Sequence, residues 1–138
     1  MTRSDHLRIS LRLASVMLPF ALACPQVALA QSPNEMLCAM ASDAAEKANA
    51  AGPVAIDAIT TQEHIEVTCE TKTILTRFSR KDTATAQPEG WQKAWQDKLS
   101  IIYCGDPATR EIIGGGWTLA ESTTFADGVV FEIKAVCE

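Results

Sequence analysis

The sequence predicts a small α+β domain: two helix–β-hairpin units forming one antiparallel sheet, with the helices packed on it and two disulfides stapling the units. Three observations carry this expectation. Apolar residues recur at helical spacing between Trp91 and Ile102. Two stretches, Ile65 to Cys69 and Val129 to Cys137, alternate apolar with polar residues as half-buried strands do. Four cysteines fall two to each unit, at Cys38, Cys69, Cys104 and Cys137.

The first 30 residues are read as a cleavable secretory leader rather than as part of the fold. Arg3, Arg8 and Arg12 form a basic start, and an apolar run from Leu13 to Ala23 follows, broken by Ser15 and Pro19. Ala28-Leu29-Ala30 then places small residues where a signal peptidase reads them, with cleavage before Gln31. The apolar run is too short for a membrane span of about 20 residues, so no stable membrane insertion is expected after cleavage. Lipidation at Cys24 is a lesser option, because Ala21 stands where a lipobox prefers leucine and Pro25 follows. Residues 31–138 then form a single domain. Removing three Arg and one Asp from the chain's 12 basic and 17 acidic residues leaves 9 and 16, a formal charge of −7. That acidity, with no basic run, excludes nucleic acid as an expected partner.

The first helix is expected from Glu35 to Ala50, with Asn34 as N-cap and Met36, Leu37, Met40, Ala44 and Ala48 near its packed face. Gly52 and Pro53 end it. Val54 to Ser79 reads as strand: a short piece near Val54–Ile56, then a hairpin reversing at Glu70-Thr71-Lys72. In its second strand, Ile74, Thr76 and Phe78 share one face and Leu75 and Arg77 the other. Arg80 to Gln87 is a polar, flexible loop. The second helix runs from Pro88, as its first residue, to Tyr103, with Trp91, Trp95, Leu99 and Ile102 as its core stripe. Asp106-Pro107 starts a short helix through Ile113, and Gly114-Gly115-Gly116 is a hinge back into the sheet. The glycine run lacks the Gly-Lys-Ser/Thr and helix of a phosphate loop. The final hairpin spans Gly116–Ser122 and Val129–Cys137, turning at Asp127-Gly128.

Four cysteines in a small exported chain imply two structural disulfides, and the local pairing Cys38–Cys69 and Cys104–Cys137 is the simplest of three connectivities. No CxxC is present, and His64 is the only histidine after residue 30, so no metal or other cofactor is expected.

At Tyr103-Cys104-Gly105-Asp106-Pro107, followed by Arg110, the glycines, Asp127-Gly128 and Cys137, the chain resembles a family. It is similar to the small exported proteobacterial proteins grouped as quorum-sensing-regulated virulence factors. Pro53, Asp57 and Thr60 resemble that family's earlier pattern. Trp117-Thr118-Leu119-Ala120 departs from its aromatic-rich strand, and Cys38 and Cys69 stand as additions. The resemblance implies a secreted or periplasmic α+β domain and supplies no catalytic residues.

For function, two readings stand. The favoured one is a non-catalytic, virulence-associated accessory protein, a monomer, that binds an unidentified protein partner by strand addition or side-chain packing. Its candidate surfaces are the strand face of Thr71, Thr73, Leu75 and Arg77, the loop Arg80 to Gln87, and the hairpin tip Thr123 to Gly128. The alternative is a small secreted hydrolase or sugar-binding enzyme using His64 with Glu63 and Glu66, or stacking a sugar on Trp91 and Trp95. Ser42, Ser79, Ser100 and Ser122 lie in no nucleophile motif.

Overall fold

The computed structural model describes residues 31–138; the expected leader and Cys24 lie outside them. Helix α1 spans Pro33–Ala50. Its N-cap is Ser32 rather than Asn34: the Ser32 hydroxyl accepts from the Glu35 N–H at 3.2 Å while the Glu35 carboxylate accepts from the Ser32 N–H at 2.7 Å. This reciprocal box satisfies two amides that no earlier turn can reach. The packed face of α1 also differs from expectation. Ala45 is buried and Leu37, Ala41 and Ala48 are half-buried, whereas Met36 and Met40 are 53% and 64% exposed. Alanine leaves the helix's own periodicity nearly featureless, so tertiary ties decide which side faces inward. Those ties are the Cys38–Cys69 disulfide and a pair of hydrogen bonds from Asn49 to the backbone of Ile65.

Strands β1 (Val54–Ala55), β2 (Thr60–Thr68) and β3 (Thr73–Arg80) follow as an antiparallel run. The reversal between β2 and β3 uses Lys72 at a φ of 50°, and β2 carries a bulge between Gln62 and His64. The segment expected as a flexible loop is ordered by a single turn of 3-10 helix at Ala84–Ala86 and by two ties to the distal hairpin. These run from the Ala84 N–H to Asp127 Oδ2 and from the Ala126 N–H to the Asp82 carbonyl.

Helix α2 spans Trp91–Gly105 and begins three residues after Pro88, because Gly90 takes the left-handed φ of 78° at its N-cap. Helix α3, Pro107–Gly114, is capped as expected by Asp106, which accepts from the Thr109 N–H at 2.9 Å. Strands β4 (Thr118–Thr124) and β5 (Val130–Lys134) close the chain. A ladder-like bond from the Ala135 N–H to the Leu119 carbonyl continues beyond β5, and Cys137 pairs with Cys104.

The α+β class, both helix–hairpin units and both disulfides are therefore present. The sheet is mixed, however, and not wholly antiparallel: its order is β1-β2-β3-β4-β5, and β3 and β4 run parallel. Parallel neighbours need a long crossover, and the segment through α2 and α3 supplies it between β3 and β4. Leu99, Leu119, Ile133 and Ala135 form the buried core under α2, flanked by Ile74, Trp95, Tyr103, Ile112, Ile113 and Phe131. Strand alternation places Cys69, Val67 and Ile65 on this same face, so α1 and α2 share it. Among the described residues the opposite face carries no helix.

Candidate functional site: a groove between α2 and the sheet

The helix-bearing face leaves a gap of about 270 Å³ where α2 does not reach the β1–β2 connection. Its floor is Thr60, Phe78, Thr123 and Ile133; its walls include Trp95, Leu99, Ile102 and Ile56. Ile56 and Ile102 remain 56% and 57% exposed. The Ile102 position corrects the expected core stripe. Trp91 and Leu99 are buried and Trp95 and Tyr103 half-buried, so the stripe continues at fourfold spacing through Tyr103 and leaves Ile102 on the groove's rim.

Asp57 builds the side of the groove opposite α2. Its carboxylate accepts from the N–H groups of Ile59 at 2.8 Å and Thr60 at 2.7 Å, which fixes the turn that holds Ile56 at the rim. The Ile59 amide is the main reason that this carboxyl is held below its ordinary range. At one end of the groove Arg80 lies with its guanidinium 5.1 Å from the centre of the Trp95 ring. It donates to both Asp82 oxygens, at 2.7 and 2.5 Å, and to Thr60 Oγ1 at 3.2 Å. Gln87 adds a further donor to Asp82 at 2.8 Å. The Arg80 bonds, more than any other influence, hold the Asp82 carboxyl down to about 2.

Glu121 lies in the middle of β4, and alternation with Leu119 and Thr123 points it into the groove. Tyr103 donates its hydroxyl to Glu121 Oε1 at 3.2 Å. Burial pushes the Glu121 carboxyl above its ordinary range and, with the nearby carboxylate, pushes the Tyr103 hydroxyl up to about 12. Lys98 stands exposed at the rim.

The residues nominated from the sequence are distributed differently. The β2 bulge sets Glu63 and His64 side by side on the open sheet face, and both are exposed. Glu63 accepts from Ser79, and Glu66 accepts two bonds from Arg77, at 2.8 and 3.0 Å. His64 makes no side-chain hydrogen bond among the described residues and lies outside the groove. Ser100 accepts from the Val136 N–H, Ser122 is buried, and Ser42 approaches Cys69 Sγ at 3.9 Å, so none of these serines meets a base. Trp91, Trp95, Phe125 and Phe131 pack on one another with ring centres 4.6 to 6.3 Å apart, so the tryptophan pair belongs to the core. The nominated hairpin tip is also partly core: Thr123 and Phe125 are buried, while Thr124 and the residues from Ala126 to Gly128 face water. Among the described residues no cluster of His, Cys, Asp and Glu could hold a metal ion.

Sequence reasoning missed Glu121 and placed Arg80 in the loop rather than at the end of β3, and both carried a signal. Glu121 falls in phase with Leu119, and Arg80 in phase with Ile74, Thr76 and Phe78, on the apolar side of their strands.

These features define a disulfide-stapled α+β domain with two helices on one sheet face and an apolar groove beside one of them. Two solved structures share this fold. One is a protein of Pseudomonas aeruginosa described as secreted, 14% identical, with a TM-score of 0.58 over 75% of this chain and 93% of that one. The other is the type 2 secretion system pilotin EpsS of Vibrio vulnificus, 16% identical, with a TM-score of 0.53 over 75% and 91%. No protein-family model matches the chain, and neither does any curated protein sequence. The two disulfides imply an oxidising compartment. Among the described residues no helix is long and apolar enough to cross a membrane.

Proposed function

We propose that the protein is a non-catalytic accessory factor, periplasmic or secreted, that acts as a monomer by binding a protein partner in the α2 groove. The observation that carries this reading is the pair of exposed isoleucines, Ile56 and Ile102, standing at the rim above the apolar Phe78, Leu99 and Ile133. Covering such area is favourable by roughly 25 cal/mol per Å², and a concave slot whose apolar residues are flanked by a few charged groups suits an inserted side-chain row. The shared fold of a secretion-system pilotin supports an envelope role, and the family resemblance supports a virulence association. Removal of the leader before Gln31 belongs to the same proposal.

The test is affinity capture with residues 31–138 and with the surface variants Ile56→Asp and Ile102→Asp. The expected outcome is one stoichiometric envelope or secreted partner that both variants lose while their circular dichroism is unchanged. A partner that both variants retain contradicts the groove as its site.

A further inference from the structure

We propose that Glu121 gives the groove a charge preference: the bound segment carries a lysine or arginine between apolar residues, and that cation pairs with the Glu121 carboxylate. The inference rests on the reading of the groove as a protein-binding site. Of the four ionic groups that line it, two are already committed. Arg80 is satisfied by Asp82 and Thr60 and lies on Trp95. The carboxylate of Asp57 is taken up by the amides of Ile59 and Thr60. Lys98 is exposed at the rim; its charge favours the Glu121 carboxylate through space, but it forms no direct ion pair among the described residues.

Glu121 is the remaining group. It sits in the groove beside Leu99 and Ile133, with one neutral donor, the Tyr103 hydroxyl, on Oε1. A half-buried carboxylate can accept several hydrogen bonds, and the Tyr103 phenol takes up only part of that capacity. A cation brought by the ligand supplies what is missing, in a setting where charge-assisted bonds are strong. The charge of the whole domain points the same way. With 9 basic and 16 acidic residues after residue 30, it attracts basic segments at long range.

Peptides of about twelve random residues displayed on phage, selected on residues 31–138 and counter-selected on Ile102→Asp, isolate groove binders without the natural partner. These binders are expected to share a lysine or arginine flanked by apolar residues. Synthetic copies are expected to bind Glu121→Gln at least about tenfold more weakly and to bind Tyr103→Phe, which keeps the carboxylate, nearly as well as the parent. A melting temperature of Glu121→Gln at or above the parent's separates lost binding from lost folding. Groove binders without a basic residue, or with equal affinity for Glu121→Gln, overturn the charge preference and leave the groove reading intact. Failure to obtain any binder sensitive to Ile102→Asp overturns both.

Discussion

Arg80 and Glu121 are the two inward-facing charges of the groove, and they affect the fold in opposite ways. Arg80 is 15% exposed and its partner Asp82 25% exposed, so their two-point pair is partly shielded from water and additionally tied to Gln87 and Thr60. Asp82→Asn is expected to lower stability at pH 7 by about 2 kcal/mol, the value of hydrogen bonds to a charged group. Because the Asp82 carboxyl lies at about 2 in the fold, below its unfolded value, its contribution is present above the unfolded value and fades as pH falls toward 2. The difference between parent and variant in urea unfolding should shrink accordingly across that window. Glu121 carries the reverse sign. Its folded pKa is raised by burial, so the folded state holds the proton more tightly, and stability falls as pH rises from the unfolded value through the folded one. Glu121→Gln is therefore expected to melt higher than the parent at pH 7, with the difference closing by about pH 4. A variant that melts lower at pH 7 contradicts the assignment of Glu121 as a desolvated carboxylate. A carboxylate that costs the fold at neutral pH is the kind of group expected where binding, not stability, has use for it.

At the scale of elements, the sheet edges are closed by side chains rather than by strands. Asn49 of α1 donates to the Ile65 carbonyl at 2.8 Å and accepts its N–H at 2.9 Å, on β2 beyond the last residue paired with β1. Gln96 of α2 does the same to Lys134 on β5, and Ser100 accepts from the Val136 N–H at 3.2 Å. Each carboxamide thus acts as a one-residue strand on an edge that would otherwise template pairing with another chain. Asn49→Ala and Gln96→Ala are each expected to cost about 1–2 kcal/mol in urea unfolding and to raise concentration-dependent light scattering. Unchanged scattering in both would show that the edges need no closing. This closure also bears on the sequence reading, which offered strand addition at a hairpin edge: the clamps leave only short free runs for it. They were not legible because Asn49 and Gln96 look like ordinary polar helix residues until the sheet is in place. The Met36 and Met40 face was misread for a related reason, since an alanine-rich helix has no strong stripe of its own and its inward side is chosen by Cys38 and Asn49. By contrast, the α2 stripe, the Asp106 cap and the Asp127-Gly128 turn were readable, because each is set by residues within a few positions of one another.

At the scale of the whole molecule, the two helix–hairpin units follow from local pattern, but their junction does not. The parallel pairing of β3 with β4 joins residues 45 apart in sequence at Thr73 and Thr118, and the long crossover through α2 and α3 makes it possible. The groove is a product of that junction. Residues from β1–β2, β3, α2, β4 and β5 meet there, so no single window of sequence announces it. Once the register is known, the open sheet face reads as a solvated surface: Arg77 bridges to Glu66, and Ala120 and Ser122 lie buried between the longer side chains of neighbouring strands. One sheet face thus lies open to solvent, and the groove on the other is the proposed partner site. Site-specific photo-crosslinking in the producing cell tests this division most directly, with the crosslinking residue placed in turn at Ile56, Ile102, His64 and Glu132. One shared adduct is expected from Ile56 and Ile102 and none from His64 or Glu132, whereas an adduct formed only from His64 or Glu132 would contradict the groove as the partner site.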